Sequence, residues 1–133
     1  MRSDTQTVTI EATPKAVAAF VGDPGNLVRW AIGFAKRVRR EADRWIVTTG
    51  QGDVPIAVDV DDNAGTIDFR MEPTPGVESV AYGRVVPNEA GTEFLFTQFQ
   101  PTDMPDEMFD QLIAAVAHEL VTLKALVEVK CPL

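Results

Sequence analysis

Few side chains in this sequence are equipped for chemistry, and three of them flank one turn. Tyr82 and Arg84 precede the stretch Pro87 to Gly91, and Gln98 follows it. Val80, Tyr82, Arg84 and Val86 share one phase of an alternating segment, and Phe94, Phe96 and Gln98 share one phase of the next. A regular hairpin puts Tyr82 opposite Gln98 and Arg84 opposite Phe96. A hydroxyl, an amide and a guanidinium among aromatic rings would orient the polar head of an otherwise apolar molecule. An inward Arg84 needs a carboxylate or a bound anion, because a buried guanidinium without one is costly. A bulge that shifts the register, or an Arg84 that snorkels out at the strand end, removes the anchor.

The other reactive groups are scattered. The single histidine, His118, falls on the side opposite the apolar stripe of its helix when residues are stepped by 100° from Phe109, so it reads as a solvated side chain. Glu119 falls near the edge of that stripe and reads as a polar boundary residue. Cys131, the only cysteine, excludes an internal disulfide and reads as a spare thiol in a reducing cytosol. No cluster has zinc-ligand spacing, and no metal or cofactor is expected. Gly50 to Asp53 lacks the Lys-Ser/Thr of a phosphate loop and opens a strand, so it is a turn.

These side chains must be positioned by a simple series of elements. Thr5 to Ala12 alternates as a first strand. Thr13 and Pro14 open a short helix with Val17, Phe20 and Val21 on its buried face, and Gly22 to Gly25 stops it. Asn26 to Gly33 is a compact turn or second short helix around Leu27 and Trp30. Six strands follow: Ala35–Glu41, Arg44–Thr49, Val54–Asp61, Thr66–Glu72, Val77–Val86 and Thr92–Gln100, separated by turn chemistry.

From Pro105 to about Lys130 a helical pattern places Phe109, Ile113, Val116, Leu120, Leu123 and Val127 on one stripe, with Thr102 or Asp103 as the cap and Pro105 in the first turn. Charged and polar side chains, Arg44, Asp59, Asp61, Thr66, Asp68 and Arg70, occupy one phase of the strands. Trp45, Val47, Ile56, Val58, Val60, Ile67, Phe69 and Met71 occupy the other. The long helix is the only element able to cover that apolar phase. The expectation is an α+β fold of order β-α-α-β6-α, a seven-stranded antiparallel sheet curled around the C-terminal helix.

The opening VTIEATPKAVAAFVGDPGNLVRW, with its Pro-started helix, Asp-Pro turn and Trp before the second strand, resembles the SRPBCC superfamily, the START and birch-pollen-allergen-like helix-grip proteins. The resemblance covers nearly the whole chain. It implies a cavity between helix and concave sheet, and a superfamily that includes hydrophobic-ligand carriers, lipid and quinone binders, polyketide cyclases and dehydratases, and chaperone-associated modules.

Composition narrows these classes. At 133 residues and 45% hydrophobic the chain suits one domain, residues 1–133, with a real core. A net charge of -8 would repel a phosphate backbone, so nucleic acid is not an expected partner. The polar start lacks the apolar core of a signal peptide and no run is long enough to span a membrane, so a soluble cytoplasmic protein is expected.

Three functions follow. The first is a pocket for a hydrophobic small molecule or lipid, walled by Trp45, Phe69, Tyr82, Arg84, Phe94, Phe96 and Gln98. The second is a cyclase or dehydratase in the same pocket, with Tyr82 as proton donor and Arg84 steadying an enolate, and no inward carboxylate to act as base. The third is an interaction module that docks through Arg29, Lys36, Arg37, Arg39, Arg40 and Arg44, although positive charge on an edge strand also discourages aggregation. Oligomeric state is open.

Overall fold

The computed structural model describes residues 1–133. In chain order these form β1 (Ser3–Ile10), α1 (Pro14–Val21), a 3-10 turn (Pro24–Asn26), α2 (Leu27–Trp30), β2 (Arg37–Glu41), β3 (Arg44–Thr49), β4 (Gly52–Asp61), β5 (Thr66–Thr74), β6 (Val77–Asn88), β7 (Gly91–Phe99) and α3 (Asp106–Lys130). The local chemistry is that read from the sequence. Thr13 caps α1 by accepting from the Ala16 N–H at 3.2 Å, Pro14 occupies the first turn, and Asp23 caps the 3-10 turn through Gly25 N at 2.9 Å. At the start of α3, however, Pro105 stands at the cap with no side-chain bond. Gln100 instead donates from Nε2 to Asp106 Oδ1 at 2.9 Å and to Met104 O at 2.8 Å, tying the approach to the first turn.

All seven strands form one antiparallel sheet in the order β1-β7-β6-β5-β4-β3-β2, leaving β1 and β2 as edges. The register defines which side chains share the concave face. One row runs Asp4, Gln98, Ala81, Phe69 and Val58, with Gln98 and Ala81 placed in line by the neighbouring pairs of β6 and β7. The next runs Gln6, Phe96, Gly83, Ile67 and Val60. On the other side of the first row lie Ser79, Met71, Ile56, Trp45 and Arg40.

The long helix covers this face as the sequence requires. Phe109, Val116, Leu120, Leu123 and Val127 are buried, and Ile113 is half-buried. Helix α3 runs alongside β1 in the same direction and is stitched to it. Arg2 meets Asp110, Gln6 Nε2 donates to Ile113 O at 2.8 Å, Lys124 Nζ to Thr9 O at 2.8 Å, and Glu11 N to Glu128 Oε2 at 2.7 Å. The Lys124 bond occupies a backbone carbonyl of this edge strand, and the others fasten the helix along it. Ile10, Val17, Val21, Val47, Ile67, Phe94, Leu123 and Val127 are fully buried between helices and sheet. No helix is long and apolar enough to cross a membrane.

Candidate functional site

The hairpin that was to supply the polar anchor has a different register. Strand β6 continues through Pro87, which pairs with Thr92, and Asn88 pairs with Gly91. The turn is therefore the two residues Glu89 and Ala90, with Glu89 in the left-handed region at φ 52°. Tyr82 lies opposite Thr97 and Arg84 opposite Leu95, one residue away from the expected partners. Because side chains alternate, a one-residue slip exchanges the faces of a strand. Tyr82 and Arg84 thus project from the convex side. Tyr82 is 43% exposed and packs edge-on against Phe99, at 6.1 Å between ring centroids. Arg84 is exposed. Neither belongs to the wall of the concavity, contrary to the expectation from the sequence.

What β6 sends inward instead is small: Ser79, Ala81 and Gly83, then Val85. The Phe94 ring packs over this small-residue segment, its Cε1 and Cζ 3.3 Å from where a Cβ at Gly83 would stand. The other five expected wall residues lie on the concave face. Phe69 and Phe94 are buried, and Trp45, Phe96 and Gln98 are half-buried. Trp30 of α2 joins them, its ring edge-on to Phe69 at 6.4 Å, and Phe69 is in turn edge-on to Phe96 at 5.8 Å. Such geometry is the favoured one for aromatic pairs. Half-buried Phe34, Val38, Trp45, Val58, Met71 and Phe96 pack around the core, so the apolar interior keeps solvent-accessible margins.

Among the enclosed polar groups Thr92 donates to Ala12 O at 2.8 Å, and three others bear on ligand chemistry. Gln98 Nε2 and Trp30 Nε1 are fully buried donors with no partner. The third is Glu119, only 6% exposed, which lies on the buried side of α3 with Val116, Leu120 and Leu123 and not at its boundary. Its Oε2 accepts from Gly33 N at 3.0 Å. Burial raises the Glu119 carboxyl to about 7, against the opposing effect of the Gly33 and Phe34 backbone donors. It is the interior acid that the sequence reading did not find. Its spacing alone, three residues after Val116 and four before Leu123, sets it at the margin of the stripe, and the loop at Gly33 is what encloses it. At Gly33 a Cβ would stand 3.3 Å from both Ala115 Cβ and Glu119 Oε2, so glycine permits the close approach of the loop.

The remaining expected groups are peripheral. His118 is exposed on the outer side of α3. Within the basic segment, Arg39 bonds Glu41 at 2.7 Å and Asp53 at 2.9 Å, which holds the Asp53 carboxyl below the usual range. Arg40 stacks over Trp45 at 5.6 Å. β2 is indeed an edge strand, where such charge opposes strand pairing. No three His, Cys, Asp or Glu side chains converge as a metal site. Two surface grooves, of about 280 Å³ beside Lys15, Gly22 and Asp62 and about 570 Å³ beside Arg29, Val121 and Val129, lie outside the concavity.

Other solved structures share this architecture. The chain is similar to the solution structure of the Aha1 dimer from Colwellia psychrerythraea, with a TM-score of 0.73 and 15% identity over 96% of this chain and 97% of that one. It is similar to a START superfamily protein from Mycobacterium smegmatis, with a TM-score of 0.70 and 16% identity over 95% and 97% of the two chains. Against the di-domain ARO/CYC BexL of the BE-7585A biosynthetic pathway the TM-score is 0.73 and identity 20%, over 96% of this chain and 47% of the longer one. At these identities the likeness is one of fold. No curated protein sequence matches. The sequence itself matches one family over residues 1–128, and the fold is the START-like helix grip of the SRPBCC superfamily: the chain belongs to the polyketide cyclase/dehydrase and lipid transport family.

Proposed function

We propose that this chain binds a hydrophobic small molecule carrying a polar group, in the concavity between α3 and the sheet. The observation that carries the reading is the burial of Gln98 Nε2 and Trp30 Nε1 without partners beside an aromatic wall. Each buried donor left unpaired costs about 1–3 kcal/mol, which a ligand carbonyl or hydroxyl would recover. The Trp30, Phe69 and Phe96 rings supply apolar contact. Family membership supports the same class of role, and lipids are within that class.

Native mass spectrometry of the purified protein, followed by displacement of a fluorescent hydrophobic probe, tests it. Gln98→Leu is expected to weaken binding about 5- to 100-fold, the loss of one buried hydrogen bond. Ala81→Phe, which adds a ring on the same concave row as Gln98, is expected to block binding. Unchanged probe binding in both variants would overturn the proposal.

A second reading, a cyclase- or dehydratase-like enzyme, is favoured by Glu119. A carboxyl near neutrality serves as both proton acceptor and donor, and it supplies the inward acid that the reaction class needs. Tyr82 and Arg84, on the convex face, have no part in it. Turnover of a poly-β-ketone with an apparent pKa near 7, lost in Glu119→Gln, is the expected result for an enzyme. Turnover that survives in Glu119→Gln removes this residue from catalysis.

A further inference from the structure

The unpartnered groups of the interior narrow the chemistry of the ligand, on the reading that a hydrophobic molecule enters the concavity. Gln98 Nε2 and Trp30 Nε1 are both N–H donors, so what each lacks is an acceptor. Phe69 connects them. The Trp30 ring stands edge-on to it at 6.4 Å, and it shares a concave row with Gln98, with Ala81 between.

The charges around these donors offer nothing to an anion. Glu119 is enclosed on α3, and Asp4, half-buried, lies opposite Gln98 on β1 with its Oδ2 accepting from Gln6 Nε2 at 2.9 Å. Both are acids. Every lysine and arginine except Arg70 and Lys124 is exposed, and those two are engaged: Arg70 bonds Asp59 at 2.8 Å on the convex face, and Lys124 bonds Glu128 at 2.6 Å and Thr9 O at 2.8 Å at the β1 edge. Arg2, two residues from Asp4, is held by Asp110 and stacks over the Phe109 ring at 5.1 Å. Arg40 shares the concave phase, but it is exposed, stacks over Trp45 and sits on edge strand β2. Gln98 is five strands from it, about 24 Å along the sheet at about 4.8 Å per strand.

We propose that the concavity selects an uncharged ligand whose polar group is a hydrogen-bond acceptor, a ketone or ester carbonyl, and rejects the carboxylate of a fatty acid. A carbonyl oxygen accepts from either N–H and gives up only the hydration of a dipole. A carboxylate accepts as well, but it brings an ion into an apolar interior beside two acids, and burying an ion without a counter-charge costs far more than burying a dipole. An ammonium group sets donors against donors.

Displacement of Nile red, an uncharged hydrophobic dye, by methyl decanoate, decanoate and decylamine at about pH 8 tests this, with thermal unfolding to show that every variant is folded. Methyl decanoate is expected to bind about tenfold or more tighter than either ion. Trp30→Phe keeps a ring and removes the donor, and it is expected, like Gln98→Leu, to weaken methyl decanoate about 5-fold or more. Decanoate or decylamine that binds as tightly as the ester overturns the selectivity and leaves the hydrophobic site standing; for decanoate, Arg2→Ala and Arg40→Ala would then show which cation holds it. Nile red that fails to bind overturns the hydrophobic site itself, and the selectivity with it.

Discussion

The two faces of α3 depart from the usual partition of polar and apolar residues in opposite senses. Its inward face encloses Glu119 among Val116, Leu120 and Leu123, whereas its outward face presents Val121 and Val129 to solvent. The inward exception costs folding stability, since a carboxyl is removed from water and is met by backbone donors without a counter-charge. The outward exception costs solubility far more than stability, because those valines are exposed in the unfolded chain as well. The fold does not require the inner exception, and that is the side on which the proposed ligand would be met.

Truncation should separate the faces most sharply. Leu123→Ala removes a fully buried side chain and is expected to cost about 2–5 kcal/mol, whereas Val121→Ala, two residues earlier and exposed, is expected to cost about 0.5 kcal/mol or less. Urea unfolding of dilute protein measures both, and similar losses would show that the outward face is covered even in the monomer.

Glu119 provides the next largest effect, and its sign is opposite to that of an ordinary surface carboxylate. Its native pKa of about 7 lies above the unfolded value of 4.5, so between these the native state holds a proton that the unfolded chain has released. Stability from this group is therefore greatest below pH 4.5 and declines until about pH 7, by on the order of 3 kcal/mol. Glu119→Gln keeps an acceptor for Gly33 and removes the charge. It is expected to be the more stable protein at pH 8 and to match the wild type near pH 4, by urea unfolding at each pH. A wild type that gains stability from pH 4.5 to 7 relative to the variant would show that the carboxyl is ionised inside the fold. Gly33→Ala is expected to cost about 1–2 kcal/mol, through crowding of Ala115 and loosening of the Gly33 to Glu119 bond.

Legibility followed the range of the determining contacts. The stripe Phe109, Val116, Leu120, Leu123 and Val127 was readable because helical spacing depends only on the helix itself, and the strand phases of β4 and β5 were readable from their alternation. Glu119 was not readable as buried from a helical wheel alone. Its burial depends on the loop at Gly33 and Phe34, which arrives from more than eighty residues away in sequence. The face of Tyr82 and Arg84 depended on a single integer, the number of residues in the turn. Pro87 suggested a turn start, yet it is tolerated near the strand end, and the left-handed Glu89 closes a two-residue loop after it.

That integer leads to the smallest expected effect. Gln98 and Tyr82 belong to the same hairpin and are both polar, but one lies on the concave face and the other on the convex face. Tyr82→Phe keeps the edge-on contact with Phe99 and loses only an exposed hydroxyl, so its stability should change by about 0.5 kcal/mol or less. Arg84→Ala should leave affinity for a hydrophobic probe unchanged, in contrast to the loss expected for Gln98→Leu. If Arg84→Ala weakened the probe and Gln98→Leu did not, the ligand would lie on the convex sheet, and the assignment of the two faces would have to be exchanged.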